Sequence, residues 1–184
     1  MAKITFGPSL SEARGKAADT VYTKTRGGNV VKALRLSNGA AGEGHRASIR
    51  RTTSYTLADN SYIYLPFETE NYDVGDLAEL STNPNGLTIQ RPGVYHVTAT
   101  VYFFPAAAGL FLMNILSTRG PELANSLINT DTTHNVILVA TNLVLLSKGE
   151  GVGVTIMQVT GANVTIPVMG PNNPVLAVHQ LSTS

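Results

Sequence analysis

Between Gln90 and Phe104 the chain reads QRPGVYHVTATVYFF, and this run constrains the fold more than any other. Pro92-Gly93 opens it as a turn signal. Tyr95, Val97, Ala99, Val101 and Phe103 then fall at alternate positions, with His96, Thr98 and Thr100 between them. Apolar and polar residues at period two, rich in β-branched and aromatic types, specify a strand with one dry face.

Further short apolar runs follow the same logic, separated by Gly, Pro, Asn and Asp clusters. The pattern predicts strands over Ala47–Ser54, Ser61–Phe67, Leu77–Glu79, Gly86–Gln90, Gly93–Phe104, Gly109–Ser117, Val136–Leu146, Gly151–Val159, Asn163–Pro167 and Val175–Leu181. No helix longer than a turn or two is expected. Regular strands with Gly/Pro punctuation predict an all-β, ten-strand jelly-roll β-sandwich. Several runs are apolar on both faces: Gly109–Leu116, Val136–Ala140 and Leu143–Leu146. One face serves the subunit core, and the second needs another cover. A copy of the same chain is the simplest cover, under closed symmetry. Tyr95, Val97, Val101, Phe103, Phe111, Leu112, Val136, Leu138, Leu143 and Leu145 are therefore assigned jointly to core and subunit interface, with Val154 and Ile156 on a neighbouring strand.

The charge is divided unevenly. Residues 1–51 hold ten Lys/Arg against three acids, whereas residues 52–184 hold three against nine. Residues 1–44 are small, polar and basic, and Asn38–Gly44 reads as a linker. Two domains are expected: a basic extended arm, 1–44, and a β domain, 45–184. Short strands around Val21-Tyr22-Thr23 and Val30-Val31, a strand at Lys3–Phe6 and a helical cap at Ser9 or Ser11 are the arm's local options. Such a segment buries too little apolar surface to fold alone. It either stays a solvated, flexible terminus or docks on a partner; docking is the expectation, with Arg14, Lys16, Lys24, Arg26, Lys32 and Arg35 meeting acidic surface. Basic residues without interleaved aromatics argue against a nucleic-acid stacking platform.

The chemistry that catalysis or metal binding would need is sparse. With no cysteine, thiol nucleophiles, disulfides and zinc thiolates are excluded. His45, His96, His134 and His179 have no metal-ligand spacing, and no nucleophile elbow or phosphate loop occurs. Glu68, Glu70, Asp73, Asp76 and Glu79 cluster, but their spacing compels no calcium loop. The expectation is a non-enzyme without cofactor or metal. No apolar run is long enough for a membrane helix, and MAKITFGPSLSEARGK lacks a secretory apolar region. A soluble protein made without Sec export is expected.

Residues 65–104 resemble the globular heads of the complement and tumour-necrosis-factor superfamily. The features come in the same order: Leu65-Pro66-Phe67 to Tyr72-Asp73, then Gly86-Leu87-Thr88-Ile89, then Pro92-Gly93-Val94-Tyr95 and its alternating strand. Leu145–Val152 is similar to that family's leucine-x-x-Gly-Asp-x-Val turn, with Glu150 at the acidic position, and Leu176–Leu181 stands where its last core strand lies. The likeness spans about residues 50–181, with Leu87 where Phe is commoner and no collagen stalk. It implies a TNF-like jelly roll and a homotrimer. Ala13-Arg14-Gly15-Lys16, Thr20-Val21-Tyr22 and Arg26-Gly27-Gly28 are similar to a leader of tailed-bacteriophage proteins. Together the two resemblances imply a virion accessory protein, made in the host bacterial cytoplasm and carried on the capsid or tail exterior. It would decorate the capsid or form a head fibre, anchored by its arm to the major capsid protein or another virion protein. The alternative is a tail-fibre or host-surface module binding a glycan or receptor. A bacterial surface protein of the same fold is a third option.

Overall fold

The structure is a computed structural model. It describes residues 44–105, 108–120, 122–131, 134–170 and 173–183, together with strands 22–24 and 30–32. The chain divides into two compact units, 1–43 and 44–184. In the first, β1 (Tyr22–Lys24) pairs antiparallel with β2 (Val30–Lys32), Thr23 opposite Val31. The expected Lys3–Phe6 strand and the Ser9 or Ser11 cap lie outside the described residues.

The second unit contains β3 (Arg46–Arg50), β4 (Tyr55–Leu57), β5 (Tyr62–Tyr64), β6 (Thr69–Val74), β7 (Gly86–Thr88), β8 (Gly93–Phe103) and β9 (Gly109–Ser117). It continues with β10 (Glu122–Thr130), β11 (Val136–Leu146), β12 (Gly151–Val159), β13 (Val164–Ile166) and β14 (Val175–Thr183). One sheet runs β11-β8-β14-β3-β6, and the other runs β10-β9-β12-β5 with β7 also paired to β12. All these pairings are antiparallel, and a short β13-β4 ladder completes the set. The twelve strands form a jelly-roll sandwich, and no α-helix occurs among the described residues.

The alternation of β8 is realised residue by residue. Tyr95, Val97, Ala99, Val101 and Phe103 are buried, whereas His96 is exposed. Phe103 meets Phe111 of the opposite sheet with ring centroids 5.2 Å apart and planes tilted by 53°, a favoured aromatic geometry. Tyr95 Oη donates to the Arg91 carbonyl at 2.7 Å, so a phenol inside the core keeps a partner. Burial pushes its pKa upward against the opposing pull of Arg91. Between β11 and β12 the chain turns at Gly149, whose φ of +79° suits a residue without Cβ.

Three strands escaped the sequence pattern and one expected strand is not formed. β6 (TENYDV) and β10 (ELANSLINT) are sheet edges with largely exposed residues. Backbone pairing holds them, so their side chains carry little of the alternation that marks a half-buried strand. β4 is only a three-residue piece. Leu77–Glu79 makes a single bridge, Ala78 opposite Leu87. The Asp73 carboxylate instead accepts the amides of Leu77 at 3.1 Å and Ala78 at 2.9 Å. That closes a turn through Gly75 (φ 105°) and Asp76 (φ 56°).

Candidate functional site

The outer face of the β11-β8-β14 sheet is built by the same alternation that builds the core. On β11, Val136, Leu138, Ala140 and Leu146 point inward, and Ile137, Val139, Thr141, Leu143 and Leu145 point outward. Leu145 is 70% exposed, Leu143 60%, Val139 54% and Ile137 51%. Opposite them on β8 stand Val94, His96, Thr100 and Tyr102. A bulge between Gln180 and Ser182 of β14 leaves Leu181 outward as well. β8, β11 and β14 contain no Asp, Glu, Lys or Arg at all. A solvated sheet face ordinarily carries charge, above all near an edge such as β11. A contiguous exposed face that is apolar and uncharged marks a contact surface.

The residues assigned jointly to core and interface separate cleanly here. Tyr95, Val97, Val101, Phe103, Phe111, Val136 and Leu138 are core, as are Val154 and Ile156. Leu143 and Leu145 lie on the exposed face of β11. Leu112 is half-buried on the outer side of the other sheet, opposite Met157 and Leu127. Of the arm residues, Arg14, Lys16, Arg26 and Arg35 lie outside the described residues. Lys24 and Lys32 sit on β1 and β2, where they pair with Val30 and Tyr22.

A second feature lies on the β10-β9-β12-β5 sheet: a cleft of about 180 Å³ beside Tyr64. Gly86, Gly151 and Gly153 form a floor without side chains, and Asn83, Asn85 and Thr118 stand around it. Tyr62 and Tyr64 are both 51% exposed and project from the same side of β5. Both rings lie along the sheet. Thr155 Oγ1 donates to Tyr62 Oη at 2.8 Å. With the Asn114 amide turned to satisfy its surroundings, its oxygen accepts from Tyr62 Oη at 3.1 Å and its nitrogen donates to Glu122 Oε2 at 3.2 Å. Thr155 is the register partner of Tyr64, so the Tyr62 ring reaches diagonally along the sheet. Tyr64 rests over Gly153, where an added Cβ would meet its Cε1 at 3.3 Å and its Cδ1 at 3.4 Å. Sequence reasoning missed this cleft because its residues come from four separate segments. The isolated signal was YIY at 62–64, an exposed aromatic pair at period two.

Three of the five clustered acids, Glu68, Asp73 and Glu79, hold local structure. Glu68 accepts from Thr52 N at 2.6 Å and Thr53 Oγ1 at 2.6 Å, and pairs with Arg51 Nη2 at 2.7 Å. The nearly buried Arg51 also donates to the Thr53 carbonyl at 3.0 Å and lies 5.1 Å from the Tyr55 ring centroid. Glu79 accepts from Ser81. Glu150 is buried, accepting from Ser147 N at 2.9 Å and from Ser117 Oγ. Among the described residues no group of three acids or histidines could hold a metal ion.

Desolvation raises the Glu68 pKa, but the Thr53 and Thr52 hydrogen bonds and Arg51 outweigh it, and the carboxyl sits below its ordinary 4.5. A group depressed in the folded state stabilises above its unfolded pKa, and that gain is lost as pH falls through the folded value. Glu68→Gln is expected to lower stability at pH 7 by about 1 kcal/mol, the carboxylate being partly solvated. The difference from wild type should shrink below pH 4.5 and vanish under the depressed native value. Urea melts across that range check it; a gap unchanged down to the acid limit would remove the ion pair from the account.

Comparison with known proteins comes through the fold. No family model matches the chain, and no curated protein matches it in sequence. Solved structures do match. The globular domain of a zebrafish complement 1qA protein is 13% identical over 76% of this chain and 99% of that one, with a TM-score of 0.54. Murine APRIL is 12% identical over 75% and 99%, with a TM-score of 0.59. Eiger TNF from S. frugiperda is 12% identical over 77% and 95%, with a TM-score of 0.53. At these identities the likeness is one of fold, and the β domain of this chain has the jelly-roll fold of the TNF and C1q globular domains.

Proposed function

We propose that the chain is a non-enzymatic structural protein of a virus particle. Its TNF-like head forms a homotrimer, and its basic arm attaches the head to the particle as a capsid-decoration or head-fibre protein. The observation that carries the trimer is the uncharged apolar face of β11, with Leu143 and Leu145 mostly exposed in one subunit. Burying a leucine side chain stabilises by about 1.5–3 kcal/mol, so three copies closing on this face gain what a single copy forgoes. What supports the attachment is the leader-like run Ala13-Arg14-Gly15-Lys16 with Arg26-Gly27-Gly28, and the excess of Lys and Arg before residue 52. Arg14, Lys16, Lys24, Arg26, Lys32 and Arg35 would meet an acidic neighbour such as the major capsid protein. The location that follows is the virion exterior, after synthesis in a bacterial cytoplasm.

Co-sedimentation with capsids of the source virus tests this reading. The full chain is expected to pellet with particles, and residues 45–184 to remain in the supernatant as a trimer. Binding by neither would remove capsid decoration. A second reading, a tail-fibre or host-surface recognition head, is favoured by the cleft beside Tyr64, since a purely structural knob needs no open groove with an aromatic wall.

A further inference from the structure

We infer that the cleft beside Tyr64 binds an uncharged saccharide, with the Tyr64 ring as its stacking platform. The inference rests on the second reading, recognition of a surface, and is independent of trimer formation and particle attachment.

Posture is the first ground. An exposed tyrosine ordinarily stands away from its sheet with a free ring. Here the Tyr62 hydroxyl is held by Thr155 and Asn114, and Tyr64 lies over a glycine that leaves it room. Tyr62 is half exposed with its hydroxyl tethered, and Tyr64 is half exposed with its ring against Gly153. Rings held in advance lose little entropy when a ligand stacks on them. A pyranose offers a flat face of C–H bonds to the electron-rich face of such a ring.

Polar capacity left over is the second ground. Asn83 and Asn85 line the cleft, and their side-chain amides make no hydrogen bond among the described residues. Thr118 Oγ1 accepts from Gly151 N at 2.9 Å, which leaves its own proton to give. Amides that both donate and accept, beside a donating hydroxyl, match the adjacent hydroxyls of a sugar. Ser117, by contrast, is consumed by Glu150 and Arg119 N.

Charge narrows the class. No residue lining the cleft is charged. The Glu150 carboxylate beneath it is buried and already accepts two hydrogen bonds. A sialylated or sulfated sugar would find no cation among the lining residues, and a hydrogen-bonding neutral sugar needs none. The volume, about 180 Å³, suits one or two rings of a longer chain rather than an enclosed monosaccharide.

The full-length protein, probed on an array of neutral, sialylated and sulfated glycans, tests the assignment. Neutral glycans are expected to bind. A neutral hit titrated as the free oligosaccharide should then weaken about tenfold or more in Tyr64→Ala, which removes a stacking face. Tyr62→Phe, which cuts the tether of a ring outside the cleft lining, should weaken it less. Because Tyr64 is a surface residue, melting curves of the variant should overlay the wild type. Binding to charged glycans only, no binding anywhere on the array, or equal binding by a folded Tyr64→Ala protein would each overturn the inference. Sedimentation of the same samples keeps the readings apart: a trimer that binds no glycan removes this site alone, and a glycan-binding monomer removes the trimer alone.

Discussion

Leu145→Asp is expected to convert a homotrimer into a folded monomer. Leu145 is 70% exposed in the single chain, so a carboxylate there meets water and leaves the core intact. Within an assembly the same position would be buried. The variant would then lose about 1.5–3 kcal/mol of apolar burial per subunit and add the penalty of an unpaired buried charge. Three kcal/mol per subunit is about a hundredfold in each association step. Sedimentation equilibrium at micromolar concentration, with circular dichroism to confirm the sheet, reads the outcome. Leu145→Ile should remain trimeric, because it keeps the apolar surface. Trimeric Leu145→Asp would place the three-fold contact on another surface. A wild-type chain that stays monomeric at high concentration would leave the apolar face without its proposed cover.

The second large effect belongs to the core. Phe103→Ala is expected to destabilise the β domain by about 3–5 kcal/mol, a large part of the 5–15 kcal/mol typical of a native domain. Phe103 and Phe111 come from different sheets and are fully buried against each other. Removing one ring leaves a cavity that the long strands β8 and β9, pinned on both sides by their neighbours, can close only in part. The thermal midpoint should fall by about 10–15 °C at matched protein concentration. A loss below about 1 kcal/mol would mean that the sheets are not held together through this pair. Leu145→Asp and Phe103→Ala therefore separate the two uses of one pattern, since the first should leave the monomer's melting unchanged and the second should lower it whatever the assembly state.

The long strands were legible because alternation is a local property. Tyr95 to Phe103 announces its dry face to anyone reading every second residue, and β12 does the same with Val152, Val154 and Ile156. Edge strands β6 and β10 were not legible, because exposed edges are held by backbone ladders that leave no mark on side-chain pattern. Leu77–Glu79 looked like a strand for its apolar residues, yet the Asp73 carboxylate, four and five residues back, captured its amides in a turn.

What the amino-acid sequence determined by itself was the all-β class, the identity of most core residues and the surplus of apolar faces on β9 and β11. It could not say which of two apolar faces turns outward. That depends on sheet order and register, which set Val136 and Leu138 against the opposite sheet and leave Leu143 and Leu145 outside. Nor could it show the tyrosine cleft. Tyr62 lies down because Thr155, 93 residues away, holds its hydroxyl, and Tyr64 because Gly153 on that same strand gives it room. Alternation is fixed between neighbours in the chain, whereas a site is fixed between neighbours in space, and only the pairing of β5 with β12 brings these residues together.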